Sequence, residues 1–187
     1  IRNRATVVGN VCSAVPSGDV IAPLLCYGAM VEITGPSGDR TLRIGDFITG
    51  PKKTALAADE IVTAIKIALP EGKSAGCYIK ISRREALDIA QAAVCCTAFE
   101  SVTREFRISF CAVSPRPVRA TEAERLLNGA TKMDDGIVEA AAKLAIEAVD
   151  PITDVRASRE YRLAMIEELT RRAIKSCVEK LEAGGPS

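Results

Sequence analysis

"CYIKISR", Cys77 to Arg83, alternates cleanly: Cys77, Ile79 and Ile81 fall on one side of an extended chain, and Tyr78, Lys80 and Ser82 on the other. That is the pattern of a half-buried strand. Two similar stretches follow, "IAQAAVCCTAFES" from Ile89 and "EFRISFCAV" from Glu105, after which the pattern turns helical to the end of the chain. Strands followed by helices predict an α+β unit, a three-stranded antiparallel sheet with helices packed on one face.

The helices carry start and stop signals. Thr121 and Glu124 have the spacing of a capping box before "AERLLNG", and Gly129 suits a helix end. A second helix, from about Asp135 to Val149, has Val138, Ala141, Leu144, Ala145 and Ala148 at helical spacing and ends at Asp150-Pro151. A third, from about Ser158 to Glu182, puts Ile166, Leu169, Ala173, Cys177 and Leu181 on one side, with Glu167/Arg171 and Glu168/Arg172 as i,i+4 pairs on the exposed side. The tail "AGGPS" is expected to fray.

Upstream of Cys77 the chain reads as short β-like runs and turns. "AMVEITG" and "RTLRIGDF" flank "PSGD", which has hairpin chemistry. "EIVTAIKIALP" puts Ile61, Thr63, Ile65, Ile67 and Leu69 on one face and stops at Pro70. "EGKSAG", Glu71 to Gly76, is polar and glycine-bearing and marks the expected internal boundary.

The whole chain has 187 residues, 48% of them apolar, enough for one or two domains with a sizeable core. Lys plus Arg total 25 against 24 Asp plus Glu, so no field of either sign steers it toward nucleic acid or anionic lipid. The longest apolar stretch, Val20 to Val31, is broken by Pro23 and Gly28 and is too short to span a bilayer. With no histidine and no CxxC among seven cysteines, His-based catalysis, a structural zinc site and a thioredoxin-like motif are set aside. The odd cysteine count without a visible signal peptide predicts reduced, mostly buried thiols in a cytoplasm. The start at Ile1, without a methionine, has the look of mid-domain sequence.

Few residues stand out as chemical candidates. "ATVVGNVCSAVPSGD", Ala5 to Asp19, is nearly all small, with Asn10 and Asp19 as polar punctuation. Such a stretch either lines a nucleotide, where small residues let backbone amides approach, or packs tightly between two layers. Lys80 beside Tyr78 could hold a negative charge, such as the N1–C2=O locus of a reduced flavin, or could simply be solvated. Arg83 and Arg84 could meet a phosphate or a surface carboxylate, and Lys52 and Lys53 share that ambiguity. Cys95 and Cys96 are adjacent in a strand, so their sulfurs point to opposite faces and read as buried apolar groups.

Five blocks in order carry a resemblance: "IRNRATVVGNVCSAVPSGD", "FITGPKKTALAADEIVTAIKIALP", "YIKISRREALDIA", "VSPRPVRATEAERLL" and "DPITDVRASREYR". In these the chain resembles the FAD-binding subunit of the molybdenum hydroxylases, a family that includes xanthine dehydrogenase, aerobic CO dehydrogenase, nicotinate dehydrogenase and 4-hydroxybenzoyl-CoA reductase. The resemblance covers the later part of that subunit. It implies that residues 1–72 are the second half of a PCMH-type FAD-binding domain and residues 73–187 the small C-terminal domain, with the N-terminal half of the FAD domain outside the chain.

Residue by residue, the family's "GGN" block falls on Val8, Gly9 and Asn10, its small and hydroxyl positions on Cys12 and Ser13, and its FAD-contacting aspartate on Asp19. The flavin-flanking apolar position falls on Val62 and the flavin-contacting lysine on Lys80. Val8 departs from the family's first glycine, and Pro51 stands where some NAD-using members carry tyrosine. The implied function is electron transfer through FAD, with molybdopterin in a large partner subunit, [2Fe-2S] clusters in a small one, and no general acid or base in this chain. The competing expectation is a non-catalytic assembly module with an incomplete flavin site.

Overall fold

The structure, a computed structural model, describes residues 3–84 and 88–184. The tail positions Gly185 to Ser187 lie outside the described residues. The first part of the chain is built from α1 (Val7–Cys12), α2 (Ile21–Cys26), the hairpin β1 (Met30–Gly35) and β2 (Gly38–Arg43), α3 (Ile44–Phe47), β3 (Ile48–Gly50), β4 (Lys53–Thr54) and β5 (Ile61–Lys66). The second holds β6 (Lys73–Ile81), β7 (Ala92–Glu100), β8 (Arg104–Cys111), β9 (Val118–Arg119), α4 (Thr121–Gly129), α5 (Asp135–Glu147) and α6 (Arg159–Glu182).

In the first part β1 is central, antiparallel to β2 on one side and β5 on the other. The hairpin closes through Pro36 and Ser37, and Gly38 follows at φ 109°, a conformation that a Cβ disfavours. The sequence places Ile61, Thr63, Ile65, Ile67 and Leu69 on one face, and the structure corrects this. The register slips between Glu32 and Ile33, so that Glu32 faces Ala64 and Ile33 faces Val62. A bulge at Thr63 inverts the alternation, and Val62 enters the core while Ile61 is 65% exposed. The strand ends at Lys66, leaving Leu69 87% exposed. The "IGDF" end of the second hairpin run likewise coils into α3 rather than extending β2, burying Ile44 and Phe47.

The second part is α+β, with one addition to the expected sheet. It has four strands in the order β6-β7-β8-β9, all antiparallel, because the short β9 pairs Val118 with Phe110 and Arg119 with Ser109. The expected boundary "EGKSAG" is partly strand, since β6 already begins at Lys73. One sheet face, with Val94, Cys96, Phe106, Ile108 and Phe110 buried and Cys77, Ile79 and Ile81 packed beside them, meets α4, α5 and α6. Helices do not cover that face alone. On the opposite face α2 lies against β7 and β8, its Ala22 and Cys26 buried with Ala93, Cys95 and Cys111.

The helix caps differ in how far they follow the sequence. Asp134 accepts from the Ile137 amide and Ser158 from the Tyr161 amide, as N-caps should. The Thr121/Glu124 box does not form: the cap position is Ala120 and has no side-chain bond. Glu124 is instead buried, its carboxylate accepting from the Ile108 amide and from Arg119, so sheet contacts take the group that a capping box requires. On α6 Glu168 pairs with Arg172 as expected, whereas Arg171 bonds Glu139 and Glu168 rather than Glu167. No helix among the described residues is long and apolar enough to cross a membrane.

Candidate functional site

The small-residue stretch is not an extended loop. It folds as α1 followed by tight turns, with Thr6 Oγ1 accepting from the Gly9 amide at 2.9 Å as N-cap. A Cβ at residue 9 would stand 2.8 Å from that Oγ1, which accounts for glycine there. Ser13 Oγ donates to the Asn10 carbonyl at 2.6 Å. Cys12 is half-buried, which raises its thiol pKa, and it packs against the core that holds Val11 and Val62. Val62 itself lies within that core, 8% exposed.

Asn10 Oδ1 is buried and accepts no hydrogen bond. Gly18 lies beside it, where a Cβ would come within 3.0 Å of this oxygen and 3.2 Å of the Val15 carbonyl. A buried acceptor without a donor is costly unless something outside the chain supplies one. A group that brings N–H or O–H donors against α1, as a flavin nucleotide does, would satisfy this oxygen where it reaches it beside Gly18.

Asp19 and Lys80, 61 residues apart in sequence, meet in space. The Lys80 ammonium donates to Asp19 Oδ2 at 2.9 Å, and the Tyr78 hydroxyl donates to Asp19 Oδ1 at 2.9 Å. The alternation of β6 puts Tyr78 and Lys80 on the same side as Cys95 and Ala93, the side that α2 covers. The turn before α2 carries Asp19 to the rim of that face. The lysine side chain is 24% exposed and the aspartate 49%, so solvent still reaches the pair. Burial first, then the neighbouring Cys111 thiol and the Asp19 carboxylate, hold the Tyr78 phenol far above its usual pKa, which keeps it a donor.

Other groups clamp the turn that carries Asp19. The Cys111 thiol, pushed up to about 12 mainly by burial, donates to the Gly18 carbonyl at 3.2 Å. The Ala112 amide donates to the Pro16 carbonyl and the Lys52 amide to the Ala14 carbonyl, each at 2.8 Å. Ala14, Lys52 and Ala112 all have positive φ, at 46°, 57° and 66°, so strained backbone from three segments meets at one seam. A cleft of about 470 Å³ opens there, lined by residues including Val15, Pro51, Ile89, Ile152 and Arg162.

Arg162, the last residue of the block "DPITDVRASREYR", was not singled out as a candidate by the sequence. Its guanidinium, 4% exposed, donates to the Ala112 carbonyl at 2.9 Å, to Asp154 at 2.7 Å and to the Gln91 carbonyl at 2.5 Å. An arginine inside a helical pattern looks like any solvated one until the fold buries it. Of the other candidates, Arg83, Arg84, Lys52 and Lys53 are exposed, Arg84 beside Asp88. Cys95 and Cys96 occupy opposite faces, one toward α2 and one toward α6.

Family models match both parts of the chain. Residues 1–70 match the FAD binding domain in molybdopterin dehydrogenase, and residues 77–177 match the CO dehydrogenase flavoprotein C-terminal domain. The xanthine dehydrogenase FAD-binding subunit of Escherichia coli O157:H7 is 34% identical over 99% of this chain and 63% of its own length. The carbon monoxide dehydrogenase medium chain of Afipia carboxidovorans is 33% identical over 94% of this chain and 61% of its own. The solved carbon monoxide dehydrogenase of Hydrogenophaga pseudoflava superposes with a TM-score of 0.90 at 29% identity, over 96% of this chain and 62% of that one. The chain thus spans about three-fifths of the length of these relatives. With both of its parts matched in order, the chain belongs to the FAD-binding medium-subunit family of the molybdenum hydroxylases.

Proposed function

We propose that this chain is part of the FAD-binding electron-transfer subunit of a cytoplasmic molybdenum-containing hydroxylase or dehydrogenase. Residues 1–72 contribute one side of the flavin site and residues 73–187 form the small domain, with the rest of the cradle supplied from outside them. The partners are a large subunit with molybdopterin and a small one with [2Fe-2S] clusters, and the chain by itself is inactive. The observation that carries the reading is the meeting of Asp19 and Lys80, two positions drawn from separate sequence blocks, with the unpartnered oxygen of Asn10 against Gly18, the chain neighbour of Asp19.

FAD held here would supply electron transfer between the clusters and an external acceptor. The chain's residues bind and tune it. Asn10 Oδ1 and the free lone pairs of Asp19 accept from donors on the cofactor, while Gly9 and Gly18 keep side-chain bulk away from the backbone there. Cys12, Ser13 and Val62 shape the wall behind. Lys80, held by Asp19, would bring a cation toward a bound ring, which would favour the anionic reduced form and raise its potential.

The test uses the full-length protein in its assembled complex. A flavin absorption band is expected, with FAD released on denaturation, and Lys80→Met should lower the flavin midpoint potential by about 30 mV, the equivalent of a tenfold change for a two-electron couple. A colourless protein that takes up no added FAD would overturn the reading in favour of a docking module.

A further inference from the structure

We infer that Tyr78 is a positioning residue of the flavin site, acting on Lys80 through Asp19. The inference rests on the flavin reading above. Its basis is the division of one carboxylate between two donors on the same strand: Oδ1 takes the Tyr78 hydroxyl and Oδ2 takes the Lys80 ammonium, each at 2.9 Å. A carboxylate held by one contact alone can rotate about its terminal bond. One held at both oxygens cannot, and it fixes the ammonium in turn.

The surroundings make Tyr78 the fixed member. It lies on β6, paired with Cys95 of β7, so its backbone is held by the sheet although the residue is 37% exposed, and its phenol, with a raised pKa, remains a donor at neutral pH. Asp19, half-exposed on a turn, has no comparable anchor of its own beyond the clamp on the Gly18 carbonyl. Without the phenol, Asp19 would carry an unshared negative charge on one oxygen and be free to wrap Lys80 more closely. The lysine would then present less positive potential to the ring and would have to be drawn off its partner when flavin binds. Pre-organisation of this kind shows up as affinity and as potential.

The experiment compares Tyr78→Phe, Asp19→Ala, the double variant and Lys80→Met in the assembled full-length protein, reading the FAD dissociation constant by flavin fluorescence and the midpoint potential by redox titration. Tyr78→Phe is expected to weaken FAD binding about fivefold to tenfold, the scale of one ordinary hydrogen bond, and to lower the potential. Because Tyr78 acts through Asp19, adding Tyr78→Phe to Asp19→Ala should change neither quantity further. A full additive loss in the double variant would show that Tyr78 works by another route and would overturn the inference. So would wild-type affinity and potential in Tyr78→Phe while Lys80→Met alters them, an outcome that leaves the flavin reading standing. If Lys80→Met and Asp19→Ala also match wild type, the flavin reading itself fails. Should Tyr78→Phe fold poorly, Tyr78→Leu, which is smaller and has no donor, replaces it.

Discussion

The two faces of the four-stranded sheet share a backbone and differ in almost everything else. The face toward α4, α5 and α6 is packed with Phe106, Ile108, Phe110, Val94 and Ile166, all buried. The face toward α2 carries Ala93, Cys95, Ser109 and Cys111 in its centre, with Tyr78 and Lys80 toward its edge. Large apolar side chains fill volume and tolerate shifts poorly. Small and polar ones let another backbone approach and then fix it by hydrogen bonds. Ser109 Oγ donates to the Ala22 carbonyl at 2.7 Å, and Cys26 Sγ lies 3.0 Å from the same hydroxyl. One face supplies stability, and the other sets the position of the turn that bears Asp19.

The largest difference is expected from deletion on the helix-covered face. Phe106→Ala should destabilise the protein by about 3–5 kcal/mol in chemical denaturation, the range for losing a buried aromatic and leaving a cavity. Ser109→Ala, on the α2 side, removes a short hydrogen bond and leaves the Ala22 carbonyl without it. A loss of about 1–2 kcal/mol is expected there. Equal losses at the two sites would break the distinction between the faces. The smallest effect belongs to Lys80→Met in the flavin-free protein: its pair with Asp19 is open to solvent, so melting should report a change below about 1 kcal/mol. A large stability loss at Lys80 would make it a structural ion pair and weaken its assignment to the cofactor.

The sequence made the helix-covered face legible and only part of the other. Alternation in β6 separated Cys77, Ile79 and Ile81 from Tyr78 and Lys80, and helical spacing picked out Ile166, Leu169, Ala173, Cys177 and Leu181, all of which are buried. These signals are local, so one segment carries each. What failed depended on contacts between segments. The bulge at Thr63 exists because β1 and β5 slip against each other, which no alternation within "EIVTAIKIALP" can reveal. Glu124 gave up a local cap for the Ile108 amide, 16 residues away. The same holds at the candidate site. Asp19 and Lys80 were each picked out by resemblance, and Tyr78 by its place beside Lys80, but their shared carboxylate geometry is a product of the fold. Arg162 closes one of the blocks that carry the resemblance but was not singled out, because its carbonyl partners come from Gln91 and Ala112.

Helix α2 has six residues and belongs to two cores. Its Ile21 and Leu24 sit with Val31, Ile33 and Phe47 in the first, while Ala22 and Cys26 sit with Ala93 and Cys95 in the second. The family boundary between residues 70 and 77 is therefore a seam in sequence but not in cooperativity. A chain severed there would leave α2 with one wet side and the sheet with a bare small-residue face. The two halves are thus expected to melt in a single transition, with the flavin-side turn as stable as the core beneath it.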